Sequence, residues 1–180
     1  MRIFWILIIF LCLSPYSTAQ AQYLFGNDDT PVEKTAPSEP SPENGIWFVR
    51  CDRDNPDHHK TCEIFQRIIY QESGTQFLEF AVHYPNQFSD QAEAVINLPL
   101  GVWVEKSGTI QIDQQSSLPF NVRYCIASGC LAFVPLSSQV ITDLKQGQNL
   151  KVSVPLLNGD FQKVDLGLKG FKRTIKEIEE

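Results

Sequence analysis

Five cysteines stand in this chain of 180 residues, and four of them fall into two local groups, Cys51 with Cys62 and Cys125 with Cys130. Whether such thiols bind metal, exchange electrons or staple a fold depends on the compartment the chain occupies. The amino terminus bears on that. Arg2 precedes an apolar run from Ile3 to Leu13, and a polar stretch then reaches Ala19-Gln20-Ala21. This is the order of a secretory leader: a charged start, an apolar centre and a small-x-small cleavage site. The run is far shorter than the ~20 apolar residues a membrane-spanning helix needs, and no later stretch approaches that length. Cys12 follows Leu11, where a lipoprotein signal would place a small residue. Residues 1–21 are therefore expected to leave as a signal peptide, taking Cys12 with them. The chain is therefore expected to be exported into an oxidising compartment.

In an oxidising compartment the remaining four cysteines imply two disulfides. Three pairings are open to four thiols. Local geometry favours Cys51–Cys62 and Cys125–Cys130. In the second pair, Ile-Ala-Ser-Gly separates the thiols, a spacing that suits a hairpin closed across facing strand positions. Neither pair has the C-x-x-C spacing of a thiol oxidoreductase.

The chain carries 15 basic and 21 acidic residues, a formal net charge of −6, and losing Arg2 makes it more negative. That balance argues against a nucleic-acid or anionic-membrane partner, both of which need a positive footprint. Residues 22–45 are acidic and Pro-rich with little apolar content, so they read as a flexible linker. Residues 46–180 are enough for one domain with a proper core.

Strand signals dominate that domain. Short runs rich in β-formers cover 46–51, 61–70 and 76–83, with a turn around Gly74. Residues 89–97 fit a short helix or a strand. Runs at 102–105 and 109–113 flank Lys106-Ser-Gly108, and 120–125 with 130–134 form the stapled hairpin. Residues 137–146 read as a helix capped by Ser138 and ended by Gly147. The segments 150–156 and 161–168 flank Asn158-Gly159, a strong hairpin signal. Residues 171–180 carry Phe171, Ile175 and Ile178 on one helical stripe. Together these predict an all-β fold, an antiparallel β-sandwich or barrel-like domain with two short helices and two local disulfides.

Candidate sites are few. The Asp52–His59 loop holds Asp52, Asp54, Asn55, Asp57, His58 and His59, loosely spaced as in a calcium loop. Counted from Asp52, its twelfth position is Glu63 but its sixth is Asp57, where an EF-hand needs glycine. A solvated loop held by a disulfide is the favoured reading, and no metal ligands are assigned. His83 ends a strand, Ser128-Gly129 sits in the stapled turn, and there is no G-x-S-x-G elbow or phosphate loop. No catalytic residue or cofactor is predicted. Trp47, Phe48, Trp103, Phe120, Tyr124 and Phe133 are expected to fill the core. If Trp103 faced water beside Pro99, it would be a contact anchor for a protein partner.

Several segments in sequence resemble the invasion-associated locus B family of exported proteins from Gram-negative bacteria. They are Trp47-x-x-x-Cys51 followed by Cys62-x-x-x-Gln66, then Leu98-Pro-Leu-Gly-Val102 and Gly108-x-x-x-Ile112-Asp113. Tyr124-Cys-x-x-x-Gly-Cys130 and Leu166-x-Leu-x-Gly170-Phe171 complete the series, which spans about residues 46 to 176. Val49-Arg50 and the long acidic linker depart from the pattern. The resemblance implies an exported, disulfide-bonded β domain, linked in some members to host-cell invasion or envelope function, with no catalytic residues to carry over. The resemblance also implies the periplasm as its compartment, with outer-membrane association or secretion as alternatives. The expected role is a non-enzymatic protein that binds a protein or envelope partner or the host-cell surface. The rivals are a metal-binding or hydrolytic protein using the Asp52–His59 loop, and a chaperone-like envelope factor offering an open sheet edge.

Overall fold

The computed structural model describes residues 41–42, 46–52, 62–71, 73–85 and 91–179. The leader, most of the linker and the Asp52–His59 loop beyond Asp52 lie outside the described residues. Alternating apolar and polar residues build two antiparallel sheets, each with one dry face.

The larger sheet contains β1 (Ser41–Pro42), β2 (Phe48–Cys51), β3 (Cys62–Ile69), β4 (Gln76–His83), β5 (Ala92–Leu98), β8 (Val122–Ile126) and β9 (Gly129–Leu136). Its order is β1-β3-β4-β5-β9-β8, and β2 also pairs with β3. The smaller sheet, ordered β11-β10-β6-β7, is made of β6 (Gly108–Ile112), β7 (Leu118–Phe120), β10 (Asn149–Pro155) and β11 (Phe161–Gly167). The inward residues of β5 (Ala92, Ala94, Ile96, Leu98) meet those of β10 and β11 (Leu150, Val152, Val154, Val164, Leu166) in one core. Helix α1 (Ser138–Gln146) adds Ile141 and Leu144 to it. Phe171 of α2 (Phe171–Thr174) and Ile175 are fully buried, and the chain closes with α3 (Lys176–Glu179).

Several expectations need correcting. The linker segment supplies β1, whose Ser41 and Pro42 pair with Ile69 and Ile68. The ambiguous segment 89–97 yields a central strand, because Ala92–Leu98 has partners on both sides. No strand covers 102–105. Val102 makes a single bridge to Leu156, and the chain then turns, with the Lys106 amide donating to the Trp103 carbonyl. Gly108 accordingly opens β6 and is not in the turn. The arm expected at 120–125 is broken at Asn121, where the chain leaves the smaller sheet (β7) for the larger one (β8). Helix α1 is capped by Ser137, not Ser138. The Ile141 amide already donates to the Ser137 carbonyl as the first helical bond, and the Ser137 hydroxyl accepts from the Val140 amide. The terminal helix is two short turns, with Ile175 between them.

The core aromatics also differ from those expected. Trp47 and Phe120 are buried, but Phe48 and Tyr124 are exposed, and Trp103 and Phe133 are half-buried. Phe77, Phe80 and Phe171 fill the interior instead.

Gly108 shows how tightly the smaller sheet is packed. A Cβ there would stand 2.2 Å from Cζ of Phe120 and within 2.7 Å of two further ring carbons. Gly108→Ala should therefore cost about 1–3 kcal/mol of overpacking, read as a lower midpoint in chemical denaturation of the oxidised protein. An unchanged midpoint would mean that Phe120 moves aside freely.

Candidate functional site

Three groups of residues could carry function, and two of them are committed to structure. The first is the joint formed by the family-like segments. Trp47 Nε1 donates to the Gly167 carbonyl at 3.0 Å, and Gln66 Nε2 donates to the same oxygen at 3.3 Å. The indole also packs edge-on against Phe171 and Phe80, with centroids 4.9 and 6.4 Å away. Gln66 is fully buried, and its Oε1 has no hydrogen-bond partner among the described residues. Nearby, Asp113 adopts φ 45°, and its carboxylate accepts from the Gln148 and Asn149 amides. Gly147 allows this approach, since a Cβ there would lie 2.8 Å from Ile112 Cγ2 and 3.0 Å from Asp113 Oδ2. A polar cleft of about 580 Å³ opens beside Asp113, lined by Gln111, Gln146, Gln148, Lys151 and Asp165 among others.

The cysteines pair as expected. Cys51 bonds Cys62 and Cys125 bonds Cys130, each directly across a strand pair. Among the described residues, no group of three His, Cys, Asp or Glu side chains is placed to hold a metal. His58 and His59 lie outside the described residues. His83 sits 3.4 Å from Glu93, directly across β4 and β5. Ser128 is in the turn of the stapled hairpin.

The second group lies on the outer face of the larger sheet. Cross-strand register lines up Phe48, Phe65, Ala81, Val95 and Phe133 in one row across five lanes. Arg50 and Arg67 lie over the Phe65 ring at 4.5 and 4.9 Å, and both guanidinium groups reach Glu79, which is 8% exposed. Burial works to raise the Glu79 carboxyl, but the hydrogen bonds and charges of Arg50 and Arg67 outweigh it and hold the group below the usual carboxylate range. On Arg50, burial is likewise outweighed by the bonds to Glu79 and Glu63, and its pKa rises. Local sequence patterns carry no trace of this clamp, which depends on three strands meeting.

The third group is an apolar loop tip. Leu157 is 68% exposed and Leu100 is 60% exposed, while Val104 and Phe161 also face water. Two loops build this tip, 99–107 and the β10–β11 turn. They are knit by the Val102–Leu156 bridge and by the Trp103 amide donating to the Pro155 carbonyl at 3.0 Å. Lys106 Nζ lies 5.4 Å from the Trp103 ring centre and 4.5 Å from that of Phe161. Asn158 and Asp160 hold the turn through paired side-chain and backbone bonds. Trp103 is thus a half-buried support, and the exposed anchors are its neighbours. The sequence signal that could have found them is Leu157 beside Asn158-Gly159, an apolar residue at a hairpin tip.

These features define a disulfide-stapled, two-sheet β domain with a rigid apolar tip. A family model described as invasion associated locus B (IalB) protein matches residues 47–179, so the chain belongs to the invasion-associated locus B family. It is similar to invasion protein B of Bartonella bacilliformis, 24% identical over 142 residues, with 74% of this chain and 72% of that protein covered. An invasion protein B homolog of Brucella abortus is 24% identical over 135 residues, covering 74% and 75%. The crystal structure of invasion associated protein b from Bartonella henselae matches with a TM-score of 0.64 at 17% identity, covering 74% of this chain and 90% of that one. At that identity the likeness is one of fold.

The clamp gives a pH-dependent test. Because the folded-state pKa of Glu79 is depressed, its stabilisation is complete above the ordinary glutamate value of ~4.3 and is lost as pH falls through the lower folded value. Glu79→Gln should cost about 1–3 kcal/mol at pH 7 and much less near pH 2, measured by urea denaturation at both. An equal loss at the two pH values would remove charge as the cause.

Proposed function

We propose that this protein is exported and non-enzymatic, and that it acts in the cell envelope or at the host interface by binding another protein through the Leu100–Leu157 tip. The observation that carries this reading is the tip itself. Large aliphatic side chains stand exposed on two loops that hydrogen bonds hold rigid, so little ordering entropy is lost when a partner covers them. Membership of the invasion-associated locus B family supports a role outside the cytoplasm, as do two disulfides. The displaced titratable groups support the non-enzymatic reading. Glu79 is clamped by two arginines, and burial together with the Glu179 carboxylate, which Tyr84 bonds at 2.9 Å, pushes the Tyr84 hydroxyl up to about 12. Burial alone raises the Tyr70 hydroxyl, and on Arg50 burial is outweighed by pairing with Glu79 and Glu63, which raises it. Each of the four shifts among the described residues thus has a structural explanation. Among the described residues, no helix is long and apolar enough to cross a membrane.

Site-specific photo-cross-linking in envelope extracts and on host cells tests the proposal. A photoreactive side chain at Leu157 or Leu100 should give a discrete protein adduct, and one at Lys169 should not. Equal labelling at all three positions, or none, would refute it. Mass analysis of the natural product should show a chain shortened by the leader and free of reactive thiols. An intact leader or four free thiols would remove export from the proposal.

A further inference from the structure

Among the described residues, the two sheets present four edges, and three of them are blunted against strand addition. The β8 edge has an irregular register between Val122 and Tyr124, with Arg123 at the irregularity. The β7 edge is three residues long and contains Pro119. The remaining edge of the larger sheet is split between β1 and β2, with Pro42 in the first piece. The fourth edge, β11, differs. It runs for seven residues without proline and pairs with β10 in unbroken register.

Its free groups can be read from the bonds at either end of that ladder. The Leu156 amide donates to the Asp160 carbonyl and the Leu168 amide to the Gln148 carbonyl. In an antiparallel pair bonded and non-bonded positions alternate, so Gln162, Val164 and Leu166 bond to β10. Phe161, Lys163, Asp165 and Gly167 then direct their amides and carbonyls away from it. Gly167 bears this out, since its carbonyl accepts from Trp47 and Gln66. Among the described residues, no strand pairs with this side of β11, although β1 and β3 pass close to it.

We infer that β11 receives an extended segment of the protein partner as an added antiparallel strand, seated on the Phe161, Lys163 and Asp165 backbone. This rests on the protein-binding reading above and names its mode. The open stretch is continuous with the tip, because Phe161 belongs to both. Charge complementarity specifies the segment. Read along its own direction, it carries a basic residue opposite Asp165, an acidic one opposite Lys163 two positions on, and an apolar one opposite Phe161. A second copy of β11 offers the same charge order. Its charge-matched register, however, would set Phe161 of one copy against Gly167 of the other, whose carbonyl Trp47 and Gln66 already occupy. A short segment stops before that point.

The probe is a labelled peptide with the central order lysine, threonine, glutamate, threonine, leucine, titrated into the oxidised protein by fluorescence anisotropy. Binding should be saturable and should slow amide exchange at Lys163 and Asp165. Lys163→Pro removes an outward donor without touching the β10 ladder, so affinity should fall by at least about tenfold while the melting midpoint holds. Backbone N-methylation of the peptide should have the same effect with the protein unaltered, which keeps the test valid if the proline variant misfolds. No binding, or equal binding by the N-methylated probe, overturns the inference. So does a dimer that Lys163→Pro dissolves, which would give the edge to a second copy. Cross-links from Leu157 that persist in Lys163→Pro leave the tip as a partner site and reject strand addition alone. In the protein with Lys163 unaltered, absence of Leu157 cross-links alongside intact peptide binding rejects the tip alone.

Discussion

One contact joins the two sheets at a point where sequence position gives no warning of it. The Trp47 indole leaves the edge lane between β1 and β2 and finds the Gly167 carbonyl, 120 residues away, at the end of β11. A buried indole N–H without a partner would be costly, and so would a buried carbonyl. Each resolves the other, with Gln66 as second donor. The ring faces Phe80 of the larger sheet and Phe171 of the closing helix, so the joint fixes the flank of the sandwich and the carboxyl terminus together. It also closes β11 at Gly167, while Phe161 to Asp165 have no strand partner on that side among the described residues.

Much of this fold was legible from local signals. Period-two alternation placed β3, β4, β10 and β11 to within a residue or two, and Asn158-Gly159 placed the last hairpin, where Gly159 takes φ 92°. The cysteine pairing followed from local geometry, and for Cys125–Cys130 from hairpin spacing. What stayed hidden depends on partners distant in sequence. Nothing near Asn121 says that the chain changes sheets there. Aromatic residues looked alike in the sequence, yet Phe48 and Phe65 lie on the outer face, Phe65 beneath Arg50 and Arg67, while Phe77 and Phe80 lie within. Glu79 reads as a polar position in a strand, and only the meeting of β2, β3 and β4 makes it the centre of a clamp. The candidate site was half legible. Trp103 pointed to the right loop, but the exposed anchors are Leu100, Val104, Leu157 and Phe161.

The two ends of the molecule's surface chemistry are divided accordingly. Charged and aromatic groups on the outer face of the larger sheet satisfy one another, and Arg50, Glu63, Glu79 and Arg67 form a closed set. Among the exposed residues of the tip, Lys106 covers only the Phe161 ring, and Leu100, Val104 and Leu157 stay largely exposed. Their loops are nonetheless tied by backbone bonds, which distinguishes them from ordinary exposed loop residues.

The disulfides occupy the outermost lanes of the larger sheet, one fastening β2 to β3 and the other β8 to β9. Both span short stretches of chain, so neither constrains the global topology greatly. They act as hems. Marginal strands are where a sheet opens first, and the central β4 and β5 hold through burial and their backbone ladders with no covalent link. In a reducing environment such a domain would fray inward from both borders before its interior gave way, so its shape would report the redox state of its surroundings from the rim.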